Sequence, residues 1–366
     1  MDDWRDRLLQ RFSFPRYERA GRNPLGWPGY SPAEVVRYAI GEVGGVKVVA
    51  CVWDFTAYGG SFGELDATAF GDACDLAAKY REPLVSFVRT GGTRLQEGNA
   101  ALVGIARTQL ALRRLASAAV PHIAVADHPT TGGVFIGVVS RADVRLAVSE
   151  ATVGFAGPRV VEAVTGVPLV GDSHTAESAL AAGLVDEVAP GTDMADVLGR
   201  WLRLLSAVPD KVDDVSFIPD LVTRGGLDQV LRARTSSMPS GLSLLDQMLT
   251  DPSPLRCPDD DPTVAARLGG LPGVGTVVAI AVAATKHARP TPGGYRVLAR
   301  AARLAHRLDL PVVTVIDTPG ADPSAAAEAA GIASAIADSV DALLATRAPT
   351  VAVLVGEGGS GGALAA

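Results

Sequence analysis

The chain has 366 residues, 48% hydrophobic and 20% charged, with 33 basic against 40 acidic residues and a net charge of −7. That length suits about two domains, and the apolar share excludes global disorder. The acidic balance argues against a general nucleic-acid binder, and Gly 40 with Pro 24 is high enough that the glycine needs local explanations.

Residues 1–33 are rich in Arg, Pro, Gly and aromatics and read as a short helix followed by an extended arm. The arm either packs against a neighbouring domain or brings some of Arg5, Arg7, Arg11, Arg16, Arg19 and Arg22 to a phosphorylated ligand. Val46–Trp53 is a β-rich run that suits a buried strand. Glu64–Lys79 has helical spacing, and Pro83–Val88 is a second strand. Arg89-Thr90-Gly91-Gly92 then leads into a long helix near Leu95–Ser117. Pro121–Ala126 is a third strand, ending in Pro129-Thr130-Thr131-Gly132-Gly133. A helical segment and a strand at Val144–Ser149 follow.

The second half repeats this order. Thr276–Val282, Pro311–Ile316 and Pro349–Val355 read as strands, Gly294–Leu308 and Ala325–Thr346 as helices. Pro83 to Pro311, Gly92 to Gly320 and Pro121 to Pro349 are each 228 residues apart, and Gly132 to Gly361 is 229. Four landmarks at one spacing indicate an internal duplication of a whole domain. Residues 207–262, with many Asp and Pro, read as a connector carrying one or two helices.

Each repeat ends two of its strands in glycine turns that open helices. Such turns present bare N–H groups at the positive end of a helix, suited to an anion or a developing oxyanion. The pairs are Gly91-Gly92 with Gly132-Gly133, and Pro319-Gly320 with Gly361-Gly362. Gly358-Gly359-Ser360-Gly361-Gly362 also fits the G-x-S-x-G elbow. An elbow serine needs an acid and a His after it, and neither occurs before Ala366, so Ser360 is not read as a nucleophile. His122, His128, His174, His287 and His306 show no ligand spacing, and Cys51, Cys74 and Cys257 make no C-x-x-C pair, so no metal is expected. Three cysteines also make no disulfide framework, which suits a cytoplasmic protein. The charged N-terminus reads as neither signal peptide nor anchor, and no run of residues suits a membrane span. Oxyanion donors without an evident protein base imply that a substrate or cofactor supplies the base.

At these residues the sequence resembles the carboxyltransferase component of acetyl-CoA carboxylase, within the crotonase superfamily. The first repeat resembles the β-type subunit at Gly59–Gly63, at Gly91–Gly98 (GGTRLQEG), at Pro129–Gly133 and at Val153–Glu162 (VGFAGPRVVE). The second resembles the α-type subunit at Gly293–Arg296, Ile316–Ala321 (IDTPGA) and Gly356–Ala365 (GEGGSGGALA). The resemblance implies an α/β fold of two tandem crotonase-like (ββα superhelix) domains, a β-type domain at 34–206 and an α-type domain at 263–366.

It implies a reaction as well. The carboxyl group of carboxybiotin, borne on a carrier protein, passes to acetyl-CoA or another short acyl-CoA, and the biotin anion takes the α-proton. Gly132 and Gly133 would stabilise the thioester enolate, and Gly361 and Gly362 the biotin ureido oxygen. Gly91, Gly92, Arg94, Gly157, Arg159, Gly320 and Ala321 would contact substrate, with Arg94 and Arg159 the more structural. Glu97 is expected to stabilise a turn or helix start, and Asp317 to brace the Thr-Pro-Gly turn after it. A biotin carboxyl carrier protein, biotin carboxylase and a homodimer or larger assembly are the implied partners, with no nucleic acid or membrane.

Three departures from the family pattern stand out. The N-terminal zinc ribbon usual in β-type subunits is missing, so no zinc is expected. Ala283–Pro292 is shorter than the family's loop. The second repeat stops four residues after Gly362, leaving Val144–Leu205 without a counterpart. A malonyl-thioester decarboxylase and an incomplete, non-catalytic subunit are the alternative readings.

Overall fold

The computed structural model describes residues 4–15, 17, 19–167, 173–206, 225–234, 239–259, 261–282, 285 and 288–366. The chain divides into two units, Met1–Ser206 and Ala207–Ala366.

The first unit begins with α1 (Trp4–Leu9) and the arm. Then come β1 (Val36–Val43), β2 (Val46–Trp53), α2 (Glu64–Tyr80), β3 (Leu84–Thr90), α3 (Asn99–Ser117) and β4 (His122–Thr131). α4 (Gly133–Gly137), β5 (Val144–Val148), β6 (Val153–Gly154), α5 (Pro158–Thr165), α6 (Ala176–Ala181), β7 (Glu187–Ala189) and α7 (Met194–Ser206) complete it. The sheet order is β1-β2-β3-β4-β5-β7, with β6 on β4. β1 and β2 form an antiparallel hairpin, and the other pairings are parallel. Trp53, Phe62, Phe70, Leu84 and Leu115 fill the core between sheet and helices. Burying side chains of this size contributes about 1.5–3 kcal/mol each.

The second unit contains α8 (Gly226–Ala233), α9 (Gly241–Met248), β8 (Thr250–Leu255), β9 (Val264–Leu271), β10 (Gly275–Val282), α10 (Pro292–Leu308) and β11 (Val312–Thr318). α11 (Ala325–Ala329), α12 (Ile332–Leu344), β12 (Thr350–Gly358) and α13 (Ser360–Leu364) follow. Its sheet order is β12-β11-β10-β9-β8.

The duplication holds at the level of register. Leu84 pairs with His122 and Val312 with Thr350, each partner 228 residues on. The ladder irregularity recurs as well, before Thr90↔Thr130 and before Thr318↔Gly358. α2 and α10 are both 17 residues long, and both end in a left-handed cap, at Arg81 and Asp309. The hairpins differ by one residue. Val43↔Val46 encloses two residues, whereas Leu271↔Gly275 encloses three.

Three expectations change. The helix expected over 325–346 is broken at Gly331, whose φ of +80° is left-handed, which helix interiors do not use. The hairpin partners β1 and β9 had no sequence prediction. Residues 250–255, in the stretch read as a connector, form an edge strand on β9. Pro252 and Pro254 sit there because an edge strand tolerates a missing donor. In the first unit β5 covers the far side of β4; in the second, β12 is the edge among the described residues, and Val351 and Leu354 are exposed on it.

Gly at position 81 or 309 relieves the left-handed penalty of a side chain at a helix C-terminus while leaving the capping N–H bonds in place. Arg81→Gly and Asp309→Gly are each expected to stabilise the chain, by about 1 kcal/mol. Chemical denaturation of the two variants checks this, and opposite signs would refute their equivalence.

Candidate active site

In the first unit β3 and β4 end side by side in turns whose backbones nearly touch. Gly92 has φ +113° and Gly132 has φ +73°. A Cβ on Gly132 would lie 2.8 Å from the Gly92 Cα, so this approach requires glycine. A threonine fixes the turn. The Thr90 hydroxyl, fully buried, accepts the Gly92 N–H at 3.0 Å. The second unit repeats the device, with the buried Thr318 hydroxyl accepting the Gly320 N–H at 3.2 Å and Gly320 at φ +125°.

The hydrogen bonds decide which N–H groups are available. Gly91 donates to Gly59 O (2.9 Å) and Gly132 to Phe155 O (2.8 Å). Those two, with Gly92, are committed to holding the turns. Gly132 is therefore corrected from a donor to a spacer. The N–H groups of Thr93 and Gly133 have no partner among the described residues. They lie on the two adjoining turns, and a Cβ on Gly133 would meet the Thr93 hydroxyl oxygen at 2.7 Å. Thr93 was not singled out from the sequence, because nothing in its side chain signals a backbone role.

The same sorting applies in the second unit. Ala321 and Gly361 carry N–H groups without a partner among the described residues. Gly361 faces open space, with nothing within 4 Å of the position a Cβ would take. Gly362 is buried, and its Cβ position lies 2.6 Å from the Tyr295 hydroxyl oxygen, so this glycine permits packing. Tyr295 donates to Gly362 O at 2.9 Å. The residue that abuts Gly320, as Gly132 abuts Gly92, is Ser360. The true counterparts are therefore Gly132 with Ser360 and Gly133 with Gly361, again 228 apart rather than 229. Arg289, within the short segment, reaches this turn and donates to Ala321 O at 3.4 Å. Positions 283, 284, 286 and 287 of that segment lie outside the described residues.

Arg94 does not face the turns. It is fully buried, and its guanidinium donates to Asp66 (2.8 Å), Glu97 (3.1 Å), Ser61 O (2.5 Å) and Ala33 O (2.8 Å). Arg94 is thus a bracket, the structural role favoured for it over substrate contact. Burial pushes the Asp66 carboxyl up to about 6, against the pull of Arg94 and of the Val35, Val36 and Gly63 N–H groups. Glu97 takes the Glu64 N–H at the start of α2 (2.6 Å), so it steadies a helix start as expected. Tyr30 donates to the same carboxylate.

Asp317 also acts otherwise than expected. It accepts the Glu357 N–H at 2.9 Å, tying β11 to β12 rather than its own turn. Gly157 caps α5, and Arg159 is exposed on that helix. Phe155, Val160 and Val164, before and within α5, are exposed apolar residues, as is Leu95 after the first turn.

The arm packs. Arg5 donates to Trp53 O and Phe87 O, Arg19 pairs with Glu34 and Asp72, and Arg22 with Glu64. Position 16 lies outside the described residues. A cavity of about 420 Å³ lined by Arg5, Arg37, Phe55 and Arg89 lies under the arm. Among the described residues no group of three His, Cys, Asp or Glu could hold a metal ion, and no helix is long and apolar enough to cross a membrane.

Comparison with known proteins agrees with the turn motifs. A carboxyl transferase domain model matches residues 5–224, and an acetyl co-enzyme A carboxylase carboxyltransferase-like model matches residues 227–366. This chain belongs to the carboxyl transferase family. Acetyl-coenzyme A carboxylase carboxyl transferase subunits beta/alpha of Parafrankia sp. (strain EAN1pec) is 35% identical, over 91% of this chain and 60% of the relative. A probable biotin-dependent acyl-coenzyme A carboxylase beta3 subunit of Mycobacterium bovis is also 35% identical, over 91% and 68%. The transcarboxylase 12S structure, with hydrolysed methylmalonyl-coenzyme A bound, superposes with a TM-score of 0.78 at 22% identity, covering 99% of this chain and 73% of that one. The carboxyl transferase chain thus has the mixed α/β, crotonase-like tandem fold expected of it. It spans about three fifths of the length of the first of these relatives.

In this chain, Arg94→Met leaves Asp66 and Glu97 as buried, uncompensated carboxylates. The expected loss is about 3–5 kcal/mol of stability. Chemical denaturation measures it; an unchanged fold with weakened acyl-CoA binding would return Arg94 to the substrate.

Proposed function

We propose that the chain is a biotin-dependent carboxyltransferase that moves the carboxyl group from carboxybiotin on a carrier protein to acetyl-CoA or another short acyl-CoA. The single observation that carries this reading is the matched pair of N–H groups on the adjoining turns of each unit, Thr93 with Gly133 and Ala321 with Gly361, without a partner among the described residues. Two donors on adjoining turns suit an oxygen that gains negative charge, and losing one such donor typically costs about 100- to 1,000-fold in rate.

The first pair stabilises the thioester enolate oxygen. Thr90 holds the Gly92 turn, and Gly132 lets the two turns approach each other. The second pair fits the ureido oxygen of biotin, because Gly361 is open and neither donor has a partner among the described residues. Carboxybiotin, when bound, supplies the carboxyl group and the base. That division of labour suits turns whose donors are backbone N–H groups. The acyl group is chosen by pocket shape, since one methylene is worth about 1–3 kcal/mol.

A biotin carboxyl carrier protein and a biotin carboxylase are the partners this chemistry needs, and the cytoplasm is the setting we propose. A homodimer or larger assembly would cover the apolar Leu95, Phe155, Val160 and Val164.

Incubation with malonyl-CoA and free biotin tests the reading. Biotin-dependent loss of malonyl-CoA is expected. Loss without biotin would make the protein a decarboxylase, and no loss from any short carboxyacyl-CoA would overturn the proposal. Thr318→Val removes the hydroxyl that holds Gly320 and is expected to lower kcat about 10- to 100-fold. Thr318→Ser retains the hydroxyl and should recover most of that loss.

A further inference from the structure

We propose that the Ser360 hydroxyl is a third hydrogen-bond donor to the ureido oxygen in the second unit, a catalytic residue whose counterpart in the first unit is only a spacer. This rests on the carboxyl-transfer reading above.

The backbone is the first observation. Ser360 has φ +61°, in the left-handed region where a Cβ is penalised. It stands between Gly359 and Gly361, in a run that otherwise uses glycine. Its counterpart, Gly132, has φ +73°. The first unit therefore meets the same backbone demand without strain, and the second keeps a side chain there at a cost.

The side chain's surroundings are the second. A bracing serine would bond to its own turn, as the Thr90 and Thr318 hydroxyls do. Ser360 makes no hydrogen bond to any described residue, and it is exposed. Its Cβ lies against the second turn, 3.3 Å from where a Cβ on Gly320 would be. The side chain is thus next to Gly361 in sequence and beside the turn that carries Ala321, the two residues whose N–H groups have no partner among the described residues.

The ureido oxygen gains negative charge as the carboxyl group leaves its nitrogen, so a third donor there adds to the two N–H groups. A hydroxyl donor strengthens as charge grows on its acceptor and can rotate to follow it.

Ser360→Gly is the informative variant because it relaxes the backbone while deleting the donor. We expect a melting temperature equal to or above that of the parent. Malonyl-CoA-dependent carboxylation of free biotin should fall at least tenfold in kcat, with KM for malonyl-CoA unchanged. Free-biotin affinity, titrated by NMR on the full chain, should weaken severalfold. Ser360→Ala, which keeps the strain and loses the hydroxyl, should show the same kinetic loss. Parental kcat and biotin affinity in Ser360→Gly would overturn the proposal, as would a kcat loss accompanied by a lower melting temperature. A parent chain with no transfer activity would overturn the function and this proposal together; an active parent with an unaffected Ser360→Gly removes this proposal alone.

Discussion

The site depends on two backbones meeting where no side chain can stand between them. At the ends of β3 and β4 the chain must turn, expose an N–H and stay within contact of the next turn. Gly92 and Gly132 allow the contact, and the buried Thr90 hydroxyl takes up the N–H that the turn would otherwise leave unpaired. The parallel sheet sets the strand ends side by side, the helices α2 and α3 hold the sheet, and the Arg94 bracket holds the start of α2. Each layer serves a spacing of a few ångströms between two glycines.

Much of this was legible in the sequence. The strands β2, β3, β4, β5, β10, β11 and β12 and the helices α2 and α10 were readable from apolar runs and spacing, and the duplication from four landmarks. The turns were readable as turns. What the sequence did not show was which N–H groups were free. Gly132 and Gly133 look alike as letters, yet one donates to Phe155 and the other to nothing described. The same ambiguity shifted the second repeat by one position, because the left-handed angle there falls on Ser360 and not on one of the glycines around it. Arg94 stood between two readings, with the structural one favoured. A motif arginine beside a candidate site suggests a ligand, and only its burial among Asp66 and Glu97 reveals a bracket.

The two units share a frame and differ in what is attached to it. Asp72 and Glu64 on α2 draw in the arginines of the arm, whereas the corresponding face of α10 carries Arg296 and Arg300 and pairs Arg296 with Asp259. The turns are conserved between the copies in geometry, down to the threonine and the ladder irregularity, while outer faces have exchanged charge. Duplication permits this, since one copy's surface can change sign without moving the other's backbone.

The hairpins show where that frame is indifferent to length. The extra residue between Leu271 and Gly275 has no effect beyond β10, because the register is again 228 residues from its twin at β11. The hairpin tip lies at the start of β10, and the glycine turns lie at the far ends of the parallel strands. Pro272 and Gly273 are exposed. That tip is therefore the natural attachment point in this unit for a fluorophore, an affinity tag or a surface tether, placed a full strand length from the chemistry.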